Sequence, residues 1–349
     1  VRRRAWLAAA GAVALALVAP GEAGEPDRLE RFRVLAVRHL TAAQLGDPRA
    51  DDASRELWAL IDEEIVDSLA SGGVFASLGF LQERLDGFTA AWGGAALRVE
   101  RVGALTVGAF QLGEGPALAS VRVYGRVRGE PGLLAAFVRE GRPSVHPVRP
   151  VAGAVQFLVA WEGPPTGRGT RPLRLDLIRQ RGDEVVVVWS TARVYGEGLA
   201  VREWRLREDT LRLRYELRYP GWAPGCAGQT EQEDVWRLAP GAEGLVRVAE
   251  RAVNAWHRAF HQTAARLYRA LEAGDAGTLA ALVPDARVRA RLPAGLAPQS
   301  ACDAVEPAGA ATPVAVSTAA TAGDGRPWTL RWRRADGRWR LVAAEPVLQ

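Results

Sequence analysis

The 349-residue chain has no lysine and no methionine, a single asparagine (Asn254), two cysteines and four histidines. All of its basic side chains are therefore arginines, and the formal net charge is +5. The joint scarcity of Lys, Met and Asn has the stamp of a GC-rich bacterial genome. A protein that binds nucleic acid gathers its cations into a patch or stripe. Here Arg is interspersed with Asp and Glu along the whole chain, so no nucleic-acid partner is expected. Also missing are a nucleophile elbow, a phosphate-binding glycine loop, a calcium-loop spacing and any C-x-x-C pair. These absences remove the commonest routes to a named chemistry.

What is present begins at the N-terminus. Arg2, Arg3 and Arg4 precede an apolar run over residues 5–19, which ends at Pro20, and Gly21-Glu22-Ala23 supplies small residues for cleavage. This layout predicts a secretory signal peptide over residues 1–23, cleaved after Ala23. About fifteen apolar residues fall short of the roughly 20 that span a bilayer, so no stable membrane span is expected after cleavage. The expected location is the periplasm or the medium. In an oxidising compartment Cys226 and Cys302 are expected to form a disulfide. Closing a loop of about 75 residues would contribute roughly 4 kcal/mol by restricting the unfolded chain.

Hydrophobic periodicity predicts an α+β protein. Over residues 24–95, Leu29, Phe32, Leu35 and Leu40, then Leu57, Ile61, Ile65 and Leu69, then Leu78, Leu81, Leu85, Phe88 and Trp92 recur at helical spacing. They define a helical segment ending in a helical hairpin. Over residues 96–240 the period changes to two, with strands expected at 97–102, 106–112, 119–127, 154–161, 173–179, 184–190, 199–206, 211–219 and 230–238. A brief helix is expected at 131–139. Turn residues at roughly ten-residue spacing make this an antiparallel β domain, either barrel or sandwich. The strands at 154–161 and 185–189 are apolar without alternation and should be covered on both faces. Residues 241–349 turn helical again. A long helix is expected from Leu245 to Ala273, a short one over 278–283, then strands at 313–321, 328–334 and 338–344 with a hairpin at Asp336-Gly337.

The run from Ala265 to Val283, ARLYRALEAGDAGTLAALV, followed by Asp336-Gly-Arg-Trp-Arg-Leu-Val342, resembles the nuclear transport factor 2-like superfamily over the last 100 or so residues. The resemblance implies a cone-shaped α+β domain, with helices laid against a curved sheet. Its pocket serves catalysis, ligand binding or dimerisation in that superfamily. Catalytic members carry Asp, His or Tyr on the pocket strands, whereas the strands here offer mainly Thr, Ala, Arg and Trp.

Three constellations could carry chemistry. His257 and His261 are four apart, so their rings share one helix face, and a helix reaching back to Leu245 would put Glu250 and Asn254 on the same line. The spacing suits zinc. However, Arg258 stands where a zinc-protease motif has Glu, so interdomain hydrogen bonding is favoured and no metal or cofactor is expected. Glu231, Glu233 and Asp234 could act as paired acid–base groups, but nearby Arg212, Arg214 and Arg218 favour cross-strand ion pairs. Trp222, between Pro220 and Pro224, is either a groove residue or a cap. Trp222, Glu231, Glu233, Asp234, Asn254, His257 and His261 are the candidate ligand-binding residues. The expected function is an exported, non-catalytic binding or assembly protein of the bacterial envelope, its partner a small molecule or an envelope protein. The alternative is an envelope hydrolase using Glu231, Glu233 or Asp234 with His257. The surroundings of His257 separate the two.

Overall fold

In the computed structural model, residues 27–347 are described apart from 48, 116–117, 240–242 and 307–311. The signal-peptide reading falls on residues outside that range. Three helices come first: α1 (Arg28–Gln44), α2 (Arg49–Ser71) and α3 (Leu78–Trp92). The Ser77 side chain accepts from Phe80 N–H at the start of α3, and Gly93 closes its end in a left-handed conformation. Phe32, Leu57, Ile61, Ile65, Leu81, Leu85 and Phe88 pack together as the spacing predicts, and they cover one face of a sheet through Leu97, Phe110 and Tyr124.

That sheet is a four-stranded antiparallel meander of β1 (Ala96–Val102), β2 (Leu105–Gln111), β3 (Ala119–Val127) and β4 (Glu130–Val138). Its other face packs Val107, Val121 and Val123 against Phe157, Val159, Trp161 and Ile178 of a second sheet. The second sheet contains β5 (Arg142–Pro147), β6 (Gln156–Glu162), β7 (Arg171–Arg181), β8 (Glu184–Ser190), β9 (Leu199–Arg207), β10 (Thr210–Glu216), β11 (Glu231–Leu238) and β12 (Leu245–Val253), with a turn of helix, α4 (Thr191–Val194), after β8. Its order is β12-β11-β10-β9-β7-β6-β5, with β8 pairing β7 beyond the end of β9. This sheet curls on its second face: Trp189 of β8 reaches Trp236 of β11, ring centroids 5.3 Å apart, over a core that includes Leu175, Leu211 and Leu213. The architecture is therefore helices on sheet on sheet.

The chain then forms α5 (Ala255–Ala273), α6 (Ala276–Leu282) and α7 (Ala286–Arg291). The following strands are β13 (Ala297–Pro298), β14 (Ala304–Glu306), β15 (Ala315–Thr321), β16 (Pro327–Ala335) and β17 (Arg338–Pro346). β13 and β14 both pair with β15, which leads on to β16 and β17. Phe260, Ala264 and Leu267 on one face of α5 meet Leu330, Trp332, Trp339 and Leu341. Asp336 and Gly337 both take positive φ between β16 and β17, as the hairpin reading requires.

Several expectations are corrected. The sheets are open, so the barrel alternative is excluded. Residues 131–138 are strand, not helix: Leu133, Leu134 and Ala135 have helical propensity, but β4 completes the ladder beside β3. Residues 245–253 are also strand. β12 pairs with β11 from Leu238↔Leu245 to Glu231↔Val253, so the second sheet continues past residue 240 and the helix begins only at Ala255. Residues 156–161 are covered on both faces as expected. The 185–189 stretch, β8, also feeds both cores, through Val185 and Trp189, although among the described residues it pairs only with β7 and is not central. The edge strand β5 carried no readable pattern.

Candidate functional site

The densest polar constellation lies where the second sheet hands over to α5. Gly221, at φ +89°, turns the segment after β10 against the ring of His261; a Cβ there would lie 1.9 Å from Nδ1. The Gln229 side chain holds this loop by accepting from Ala223 N–H (2.7 Å) and donating to the Ala223 (2.7 Å) and Cys226 (3.1 Å) carbonyls. Fully buried Thr230 donates from Oγ1 to the Asn254 carbonyl (2.6 Å) and accepts from Arg258 N–H (3.0 Å), one of the orphan donors at the start of α5. Asn254 sits at the junction with φ +54°, a conformation that Asn tolerates better than most residues.

Above this hinge the Tyr219 phenol accepts from Thr230 N–H (2.8 Å) and is 2.7 Å from His257 Nδ1. His257 Nε2 and His261 Nε2 both reach the same oxygen of Asp303, Oδ2, at 2.9 and 2.7 Å. Asp303 is placed by β14, which starts at the next residue, and by the Cys226–Cys302 disulfide, whose Cα atoms are 5.3 Å apart. The side chains of His257 and Asp303 are buried, and that of His261 is 13% exposed. Burial opposes the Asp303 charge, but hydrogen bonds from His257 and His261 outweigh it and hold the carboxyl below its ordinary pKa. Burial raises the Tyr219 pKa. Glu250 lies elsewhere, exposed on β12 and beside Arg247 at 3.4 Å.

The three carboxylates of β11 point to two faces. Glu231 pairs with Arg202 (2.9 Å) and with Arg214, and Glu233 with Arg251 (2.9 Å) and Arg212 (3.8 Å). Asp234 faces the core of the curled sheet and is fully buried. It accepts from Tyr195 (2.7 Å), Tyr215 (3.2 Å), Gln232 (3.1 Å) and Arg247 (3.4 Å). Burial, with the Asp234 charge beside them, raises both tyrosine pKa values. Asp234 thus has its acceptor capacity filled by four donors. None of these hydrogen bonds or ion pairs involves His257.

Trp222 is half-buried, with the guanidinium groups of Arg168 and Arg218 5.5 and 5.7 Å from its ring. On one side lies a groove of about 410 Å³ lined by Arg168, Arg202, Arg214, Trp222, Glu231 and Asn254 among others. Arg218 and Glu216 line a larger cleft of about 1300 Å³, with Arg142, Glu162, Arg171 and Tyr195. Glu216 borders both. The structure thus brings Trp222, Glu231 and Asn254 to one groove and His257 and His261 to one cluster, and leaves Glu233 and Asp234 apart from both. Sequence reasoning missed Asp303 and the larger cleft. The one available signal for Asp303 was its position next to Cys302.

No known family model matches the chain, and the search of characterised proteins found no match. Among the described residues no helix is long and apolar enough to cross a membrane.

Proposed function

We propose that the protein is an exported binding or assembly module of the bacterial envelope that does no chemistry on its ligand, and that it holds a small molecule or a segment of an envelope protein against Trp222. The observation that carries this reading is the state of the β11 carboxylates. Glu231 and Glu233 are tied to arginines, and Asp234 is fully buried among four donors. A general acid or base must be able to reach the proton it transfers, and these carboxylates are committed elsewhere. Trp222, in contrast, lines the smaller groove, with the Arg168 and Arg218 guanidinium groups 5.5 and 5.7 Å from its ring. Such amphipathic anchors suit ligand contact. Export is supported by the disulfide and by the composition of residues 1–23.

The same reading keeps the C-terminal unit within the nuclear transport factor 2-like superfamily, supported by α5 and α6 lying against an antiparallel sheet. Phe260, Trp332 and Trp339 fill the space between them, which suits docking better than catalysis. A photo-cross-linking residue at exposed Ala227, on the groove wall, tests the proposal in intact cells. A discrete mass adduct is expected, and Trp222→Ala should abolish it. No adduct, or turnover of ester, glycoside or peptide substrates that Glu231→Gln removes, would favour the hydrolase.

A further inference from the structure

We propose that His257, His261 and Asp303 form a binding site for a divalent transition metal of the zinc type. Their potential ligand atoms lie within 4.8 Å of one another. The two imidazoles alone did not make a site, because the local motif lacks a third donor. The fold supplies one from 42 residues away, fixed against His261 at 2.7 Å. Two imidazole nitrogens and one carboxylate oxygen are a donor set that zinc accepts, in tetrahedral geometry with a fourth ligand from solvent.

His257 Nε2 and His261 Nε2 lie 2.9 and 2.7 Å from Asp303 Oδ2, and the three ligand atoms lie within 4.8 Å of one another. Bonds of about 2.0–2.1 Å in a tetrahedron set ligand atoms roughly 3.3 Å apart, so the carboxylate oxygen would withdraw by at least about half an ångström to admit the ion between the imidazoles. Asp303 immediately precedes the short strand β14, which among the described residues pairs only with β15, so its carboxylate can move that distance. The proton arrangement also fits. Without metal, a neutral His257 donates from Nε2 to Asp303 and accepts at Nδ1 from the Tyr219 hydroxyl. With metal at Nε2 the proton moves to Nδ1, which donates to the same phenol oxygen, 2.7 Å away. Tyr219 can serve as donor or acceptor, and such an outer partner is how metal-bound histidines are oriented. His257 and Asp303 are buried, and the 13% exposure of His261 gives the solvent ligand its access. With so little opening the site acts as a clasp between α5 and β14.

The test uses the full exported chain, stripped with chelator and titrated with zinc chloride alone. One equivalent should bind and should raise the thermal midpoint, as any ligand of the folded state does. His261→Gln and Asp303→Asn should each lose the stoichiometric step, while His146→Gln, on β5, should keep it. Zinc-edge X-ray absorption on the unsubstituted protein does not depend on the variants folding. It should show two imidazoles and oxygen ligands with no sulfur. Absence of a stoichiometric step, binding that survives in both variants, or an all-oxygen or sulfur-containing shell overturns the proposal. None of these results bears on the Trp222 groove, so the two readings fail separately.

Discussion

Gly221 shows how a single missing side chain can shape a site. Its φ of +89° is available to few other residues, and His261 already occupies the space where a Cβ would go. Gly221→Ala should combine backbone strain with overpacking and cost more than about 2 kcal/mol in urea unfolding. The fall in stability should be accompanied by a changed near-ultraviolet spectrum from neighbouring Trp222. Tyr219→Phe tests the other wall. It removes the acceptor for Thr230 N–H and the partner of His257 Nδ1, leaving buried groups unpaired at a cost of about 1–3 kcal/mol. An unchanged unfolding midpoint in Tyr219→Phe would show that water replaces the phenol. At this scale the sequence was half legible. Helical spacing alone put the two histidine rings on one face. Asp303, in the featureless run Ala301-Cys302-Asp303-Ala304, became meaningful only once Cys302 was joined to Cys226. Long-range closure of that kind has no local periodicity.

Elements were readable where one face is buried and one is wet. The Leu, Phe and Ile ladders of α1, α2 and α3 mostly reach the core they imply, whereas Leu40 near the end of α1 is 46% exposed. β4 and β12 were not readable, and the reason is shared. Each is an edge strand, and the burial alternation that marks a half-buried strand is weak in both. Leu133 to Ala136 and Ala249 to Ala252 then show only helical propensity, which pairing with β3 and β11 overrides. The helical layer has its own pH sensitivity. Glu64 on α2 joins Arg28 of α1 (2.8 Å) and Arg84 of α3 (2.6 Å). Burial opposes its charge, yet the hydrogen bonds and charges of the two arginines hold its pKa below the ordinary value. A carboxylate depressed in the folded state contributes stability that is complete above its unfolded pKa, about 4.3, and is lost as pH falls through the folded value. The three-helix layer should therefore weaken with acid in that window. Glu64→Gln should flatten the acid dependence and lower stability at neutral pH by about 1–3 kcal/mol. An unaltered acid profile in Glu64→Gln would place the dependence elsewhere.

At the scale of the whole molecule, the second sheet and the C-terminal unit are joined by few groups. Among the described residues, the hydrogen bonds crossing from residues before 254 to those after it converge on Tyr219 and Thr230. The covalent tie is Cys226–Cys302, spanning 76 residues. Its restriction of the unfolded chain corresponds to roughly 4 kcal/mol, comparable to several net hydrogen bonds of about 1 kcal/mol each. The bond also has a local effect. β14 is three residues long and pairs only with β15, so the neighbouring cysteine and Asp303 are what keep it against the first turns of α5. Cys226→Ser with Cys302→Ser should therefore act unevenly. Native-state hydrogen exchange should show a marked loss of protection in β14 and at the start of α5. β6 and β7, buried on both faces, should exchange only through global unfolding, with their protection lowered by no more than the fall in total stability. Equal loss at all sites would mean that the crosslink acts on the unfolded chain alone. Preserved protection in β14 would mean that Asp303 and its two histidines hold the strand without the disulfide.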